Sequence, residues 1–294
     1  MTLTALDRMA VRQSFDRAAG SYDQHAVLQA EVAARLLERL DYFAREAQCV
    51  LDLGCGTGQP GKALAERFPE AAIISLDWAP AMLAQARHSH WRSPPGGRIH
   101  PVCADMQRLP LAPRSVDLVF SNLAVQWSND LPQLFAGLRR VLRPGGLLVF
   151  STFGPDTLHE LRAAWAHVDP RPHVNRYMDM HDIGDQLVAA GFRDPVMDAE
   201  PLVLRYRQVL DLMRDLKGIG AHNAAAGRPP GLTGKATLQR VIEAYQGFER
   251  GGFYPATYEV LYGVAFGPAE GQPVRTGEGE IATFSVDALR SGSR

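Results

Sequence analysis

Cysteine is scarce in this chain: Cys49, Cys55 and Cys103 are an odd number without the spacing of a disulfide framework. That excludes a small disulfide-stapled fold, fits a reducing compartment and makes free thiols the expectation. Long apolar runs are missing as well. No stretch approaches the roughly 18 residues that span a bilayer, and the N-terminal segment, with Asp7, Arg8, Arg12 and Asp16, lacks the apolar core of a secretion signal. The expectation is a cytoplasmic protein with no membrane partner. Excess charge of one sign is absent too: 21% of residues are charged and the formal net charge is −1. No global field draws the chain to nucleic acid or an anionic surface, so a charged partner has to be met locally.

What is present is an alternation of short apolar runs with helical patterns from Gln48 to Phe153, the signature of a parallel sheet with crossover helices. Strands are expected at Cys49 to Leu53, Ala72 to Asp77, Ile99 to Ala104, Val116 to Asn122 and Leu147 to Thr152. Helices are expected at Gly61 to Phe68, Pro80 to His88 and Pro132 to Leu142, the last stopped by Arg143-Pro-Gly-Gly146. Two helices, broken at Ala19 to Asp23, should precede this core within a cap spanning 1–47. Pro155 to Val168 and His181 to Ala190 also read as helical, and Pro195 to Leu204 and Thr257 to Phe266 as two late strands. The sum is an α/β domain at 48–267, doubly wound around a mostly parallel seven-stranded sheet, with a helical insertion at about 206–252 between the last two strands. The Gly-, Glu- and Ser-rich segment 268–294 reads as a disordered tail.

The chemistry concentrates in the turn Asp52-Leu-Gly-Cys-Gly-Thr-Gly58, where Gly54, Gly56 and Gly58 leave backbone open to a ligand and Pro60 suits the first turn of the next helix. The same stretch contains Gly56-Thr-Gly-Gln-Pro-Gly61, a match to the dinucleotide fingerprint, with Asp77 at the distance of a ribose-holding acid. An NAD enzyme is therefore a rival reading. Against it, the glycines begin at Gly54, directly after Asp52, and an acid aimed into the turn repels a pyrophosphate but accepts a hydrogen bond from an ammonium. Two other sites carry less. His88, His90, His100 and Cys103 do not have zinc-ligand spacing, so no metal is expected. Gly61-Lys62 is followed by Ala63 where a P-loop needs Ser or Thr.

From Val50 to Phe153 the chain resembles the class I S-adenosylmethionine-dependent methyltransferases, which have a Rossmann-like fold. The resemblance implies S-adenosyl-L-methionine as cofactor, with Asp52, Gly54, Cys55, Gly56, Thr57 and Gly58 around its methionine part. It also implies Asp77 on the ribose hydroxyls and Asp105, between Ala104 and Met106, at the adenine amino group. Trp78 and Met82 would pack near the adenine, and Asn122 and Leu123, with Ala124, would lie under the transferable methyl.

A closer resemblance lies outside that core. Phe15-Asp-Arg-Ala-Ala-Gly-Ser-Tyr22, Ser121-Asn-Leu-Ala-Val-Gln-Trp127, Arg171-Pro-His-Val-Asn-Arg-Tyr177 and Leu216-Lys-Gly-Ile-Gly-Ala221 are similar to segments of the malonyl-[acyl-carrier protein] O-methyltransferases of biotin synthesis. The likeness runs to about Phe266, with Tyr177 standing where Phe is expected. It implies methylation of the free carboxylate of a malonyl thioester, with malonyl-acyl-carrier protein or malonyl-CoA as substrate partner. Such a carboxylate, with an ordinary pKa of about 4, is ionised at neutral pH and attacks without a general base. Arg176 is the first candidate to hold it and Arg171 the second, because a guanidinium can bind both oxygens. Tyr177 would form an aromatic wall and Tyr22 would close over the cofactor. A methyltransferase for a small acid, a protein-modifying assembly factor and a non-catalytic S-adenosylmethionine-binding scaffold remain alternatives at this level.

Overall fold

The computed structural model describes residues 5–43, 46–91, 98–221, 223–228, 231, 233–269, 274–276 and 279–281. The Pro-Pro-Gly-Gly loop at 94–97, parts of the break at 227–234 and most of the expected disordered tail lie outside these residues. Within the tail, β8 (Val274–Thr276) and β9 (Gly279–Ile281) pair antiparallel.

Three helices come first: α1 (Arg8–Ala18), α2 (Tyr22–His25) and α3 (Val27–Phe43). The one-turn α2 starts inside the break expected at Ala19 to Asp23, and Ala26 separates it from α3. Then β1 (Cys49–Leu53), α4 (Gln59–Arg67), β2 (Ala72–Asp77), α5 (Pro80–Ser89), β3 (Ile99–Cys103) and β4 (Val116–Ser121) follow in strict alternation up to β3. After β4 come α6 (Leu131–Val141), β5 (Leu142–Phe153), α7 (His159–Ala166), α8 (Met180–Ala189) and β6 (Arg193–Tyr206). Helices α9 (Val209–Gly218) and α10 (Lys235–Tyr245) fill the connection to β7 (Tyr254–Phe266).

The seven strands are ordered β3-β2-β1-β4-β5-β7-β6. The first five run parallel, and β7 lies antiparallel between β5 and β6. Central strands are apolar on both faces, as a doubly covered parallel sheet requires. Val50 and Leu51 show the alternation: Val50 packs with Leu36, Leu64 and Phe120 on one face, and Leu51 with Leu138, Phe150 and Leu187 on the other. Helices therefore cover both faces. Helix α6 is capped by Asp130, whose side chain accepts from the Gln133 N–H at 2.9 Å, and buries Leu134, Phe135, Leu138 and Val141.

Two boundaries differ from the sequence pattern. Helix α7 starts at His159 instead of Pro155, because Gly154 and Asp156 donate their N–H groups to Glu259 on β7 and Leu158 takes a positive φ of 54°. Strand β5 begins at Leu142, so Arg143 to Gly146 belong to the strand, with a register shift against β4 between Val116 and Leu118. The strand order reverses between β1 and β4, and open α/β sheets bind ligands outside the carboxyl ends of the strands at such a point.

Candidate active site

At that point the chain leaves β1 through the glycine turn. Gly54 has φ of 73°, and a Cβ there would lie 2.3 Å from the Cβ of Ala124, so the residue after β1 has to be glycine for the β4 loop to approach. Gly56, φ 52°, has no atom within 4 Å of a Cβ position and borders the cavity described below. The N–H groups of Gly54 and Cys55 both donate to the Leu76 carbonyl, at 2.8 and 3.1 Å. Asp77, the last residue of β2, accepts from Gly56 N at 2.9 Å and from Ala79 N at 2.8 Å. Burial pushes the Asp77 carboxyl up, opposed by these two hydrogen bonds.

Above the turn lies a cavity with an empty volume of about 1390 Å³, counting the solvent at its mouth. The ends of β2 and β3 supply Asp77, Trp78, Ala104, Asp105 and Met106 to its wall, and α5 supplies Met82. The β4 loop supplies Asn122 and Leu123. The Asn122 amide is fixed: it donates to the Gln29 carbonyl and accepts from Ser151 Oγ, both at 2.9 Å. Tyr22 closes the wall from α2, its hydroxyl held in the protonated form by burial and then by the nearby Asp77 and Asp23. Tyr177 also lines the cavity, its ring centroid 5.4 Å from that of Phe153, and burial pushes its hydroxyl up to about 12.

Six of the residues expected at the site stand elsewhere. Asp52 is 1% exposed and lies beneath the turn, 3.5 Å from Ser75 Oγ, outside the cavity wall. Its carboxyl is pushed up to about 8, first by burial and then by Asp77. Cys55 is buried, with its thiol raised by burial, and Thr57 donates to Asp23 at 2.5 Å. Gly58 precedes α4 and accepts the Trp91 indole N–H at 3.1 Å. These residues shape the turn from behind. Arg176 is exposed and lines an adjoining, smaller recess with Thr152 and Met178, which shares Gln126, Phe153 and Tyr177 with the main cavity. Arg171 is exposed and paired with Asp169 at 2.9 Å. Neither arginine lines the main cavity: the 171–177 segment turns His173, Val174, Asn175 and Tyr177 into its wall and leaves Arg171 and Arg176 exposed.

The structure adds residues that sequence reasoning missed. Arg8 pairs with Asp105 and lies over the Trp78 ring at 4.7 Å, so α1 covers the acid expected at the adenine. Gln29, whose Oε1 is buried without a partner, borders the cavity beside Asn122. Leu158, Tyr258 and Asn223 complete the wall. The segments quoted at 171–177 and 216–221 pointed to this wall, but nothing in the sequence singled out Arg8, Gln29 or Tyr258.

The family model for a methyltransferase domain matches residues 51–150, the span that carries the glycine turn. A putative methyltransferase from Bacillus halodurans C-125 superposes with a TM-score of 0.57 at 17% identity, over 81% of this chain and 99% of that one. The [4+2]-cyclase SpnF superposes with a TM-score of 0.53 at 19% identity over 81% of both chains, so the shared fold alone does not choose the reaction. Sequence relatives are more specific. The malonyl-[acyl-carrier protein] O-methyltransferase of Gallionella capsiferriformans (strain ES-2) is 56% identical over 267 residues, 90% of this chain and 92% of that one. That of Halorhodospira halophila (strain DSM 244 / SL1) is 47% identical over 292 residues, 99% of this chain and 98% of that one. The chain belongs to the malonyl-[acyl-carrier protein] O-methyltransferase family, and its cofactor is S-adenosyl-L-methionine. The cavity fits that cofactor: the Gly56 backbone faces open space, and both Asp77 oxygens keep a lone pair for ribose hydroxyls after accepting one backbone N–H each. Among the described residues, no helix is long and apolar enough to cross a membrane.

Proposed function

We propose that this chain moves the methyl group of S-adenosyl-L-methionine to the free carboxylate of a malonyl thioester on acyl-carrier protein, in the cytoplasm. The product, a malonyl methyl ester, would enter pimeloyl synthesis for biotin, and malonyl-CoA would present the same reacting group. The observation that carries this reading is the length of the similarity. Relatives named for this activity match over 90% of the chain, a span far beyond the 51–150 core of the methyltransferase domain. The segments forming the second half of the cavity, around Leu158, Val174, Tyr177, Leu216 and Tyr258, lie beyond that core.

The chemistry asks little of acid or base groups. The bound cofactor supplies an electrophilic methyl on a sulfonium. The glycine turn and Asp77 would hold the cofactor, and the Asn122 to Ala124 loop would sit beneath the methyl. Phe153, Leu158, Leu161 and Tyr258 give that half of the cavity a largely apolar lining, which excludes water and leaves an ionised carboxylate poorly solvated. Positioning and desolvation then supply the rate. Incubation with labelled cofactor and, in parallel, malonyl-carrier protein, malonyl-CoA and a small dicarboxylate tests the reading. Transfer to the malonyl thioesters supports it, and transfer to the small acid alone overturns it.

A further inference from the structure

An acceptor carboxylate needs a cation or strong donors, and the arginines expected for this role stand outside the cavity. Three basic side chains line the cavity among the described residues: Arg8, Arg12 and His173. Arg8 and Arg12 lie over the Trp78 ring, at 4.7 and 5.7 Å, and Arg8 is paired with Asp105, so both serve the wall made by β2, β3 and α1. Arg162, half-buried on α7, donates through Nη2 to the carbonyls of Pro155 and Thr157, keeps its Nε buried without a partner, and does not border the cavity. His173 is left, on the same wall as Asn175, Tyr177 and Asn223.

His173 is held as a recognition group would be. Its ring stacks on the indole of Trp165 with centroids 3.7 Å apart and 4° between planes, and an indole face suits a cation. Its Nε2 lies 2.9 Å from Asp169 Oδ2, with both side chains close to nine-tenths buried, at 11% and 13% exposure. Asp169 in turn accepts from Arg171 through Nε at 3.1 Å and Nη2 at 2.9 Å. Arg171 shares the Asp169 carboxylate, which takes the Nε2–H of His173, so Nδ1 is the ring nitrogen not spoken for by Asp169 and, when it carries a proton, the donor offered to a ligand. The loop is pinned besides: Asn223 Nδ2 donates to the Pro172 carbonyl at 2.6 Å, and Ala224 N donates to Asn175 Oδ1 at 3.3 Å.

We propose that His173 binds the acceptor carboxylate, with Trp165, Asp169 and Arg171 as positioning residues behind it. The inference rests on the malonyl-carrier reading and names the group that would select a free acid over an uncharged acyl chain. One carboxylate oxygen accepts from His173 while the other attacks. The O–CH₃ bond forms as the S–CH₃ bond breaks, the S–C electron pair stays on sulfur, and no proton moves. The ester product is a neutral, weaker acceptor, so the contact that holds the substrate does not hold the product.

The test compares His173→Gln and His173→Ala with wild type, by calorimetry with S-adenosylhomocysteine bound, using malonyl-carrier protein and its methyl ester as two probes. The expected result is at least a tenfold loss of affinity for the malonyl form, a change under twofold for the neutral ester, and unchanged S-adenosylhomocysteine affinity. Asp169→Asn should give a smaller loss of the same selective kind. Equal losses for both probes would mark His173 as a structural residue and overturn the proposal, as would unchanged malonyl affinity. Wild-type turnover is measured alongside. If wild type fails to methylate the malonyl carrier, the functional reading falls; if it turns over and His173→Gln binds both probes normally, only the His173 role falls.

Discussion

Asp77 joins two turns: its Oδ2 accepts from Gly56 after β1 and its Oδ1 from Ala79 after β2, at 2.9 and 2.8 Å. The acid fixes the backbone beside the cofactor and would take the ribose hydroxyls with its remaining lone pairs. Asp77→Ala should weaken S-adenosylmethionine binding by about 1.5–3 kcal/mol, the range for charge-assisted hydrogen bonds. Calorimetry on the folded variant checks it, and unchanged affinity would remove Asp77 from the site.

Gly54→Ala places a methyl 2.3 Å from the Ala124 Cβ on a backbone with φ of 73°. Strain of about 1–2 kcal/mol is expected from the left-handed backbone alone, with the displaced β4 loop added. The variant should melt several degrees lower and bind cofactor at least tenfold more weakly. A melting temperature equal to wild type would show that the loop yields freely.

Much of this site was legible in the sequence, for physical reasons that differ by region. β1 and β2 are buried between helices on both faces, so their apolar runs end where the strands end, at Leu53 and Asp77. The glycines and the acids at successive strand ends then locate the turn and the crevice. The second half of the cavity has no such periodicity. It is assembled from segments far apart in the chain, as when His25 on α2 meets Asp215 on α9 at 2.8 Å. In the loop at 171–177, neighbouring residues point to different sides, and no pattern distinguishes Arg176 outside from His173 inside. The place of Asp52 before the glycines points to the ligand, yet the side chain is buried beneath the turn against Ser75.

Asp52 also predicts a pH dependence. Its carboxyl is raised from an ordinary value near 3.8 to about 8 by burial and by Asp77. The folded state therefore favours the protonated form, a contribution fully present below pH 3.8 and lost as pH rises through about 8. Across that window ionisation in the unfolded chain opposes folding, at an upper limit of about 1.4 kcal/mol per pH unit. Asp52→Asn should be more stable than wild type without cofactor near pH 7.5, with the gain shrinking toward pH 4. Denaturant melts at several pH values decide this, and a gain independent of pH would contradict it.

Carrier docking is expected on the insertion, where Arg207, Arg214 and Arg240 are exposed. Arg207 lies over the Phe253 ring at 5.1 Å and Arg214 pairs with Asp211 at 2.6 Å, contacts weak enough at a surface to exchange for an acidic partner. Reversing all three to Glu should raise the KM for malonyl-carrier protein, most at low salt, and leave that for malonyl-CoA nearly unchanged. Equal effects on both substrates would place docking elsewhere.

The most direct measurement is mass spectrometry of malonyl-carrier protein after incubation with the wild-type protein and S-adenosylmethionine, with acetyl-carrier protein in parallel. The proposed function predicts the gain of a single methyl on the malonyl form, lost together with the acyl group when hydroxylamine cleaves the thioester, and no gain on the acetyl form, which has no free carboxylate. A malonyl carrier left unmodified by folded protein that binds the cofactor, or a methyl that appears equally on the acetyl form, would contradict it.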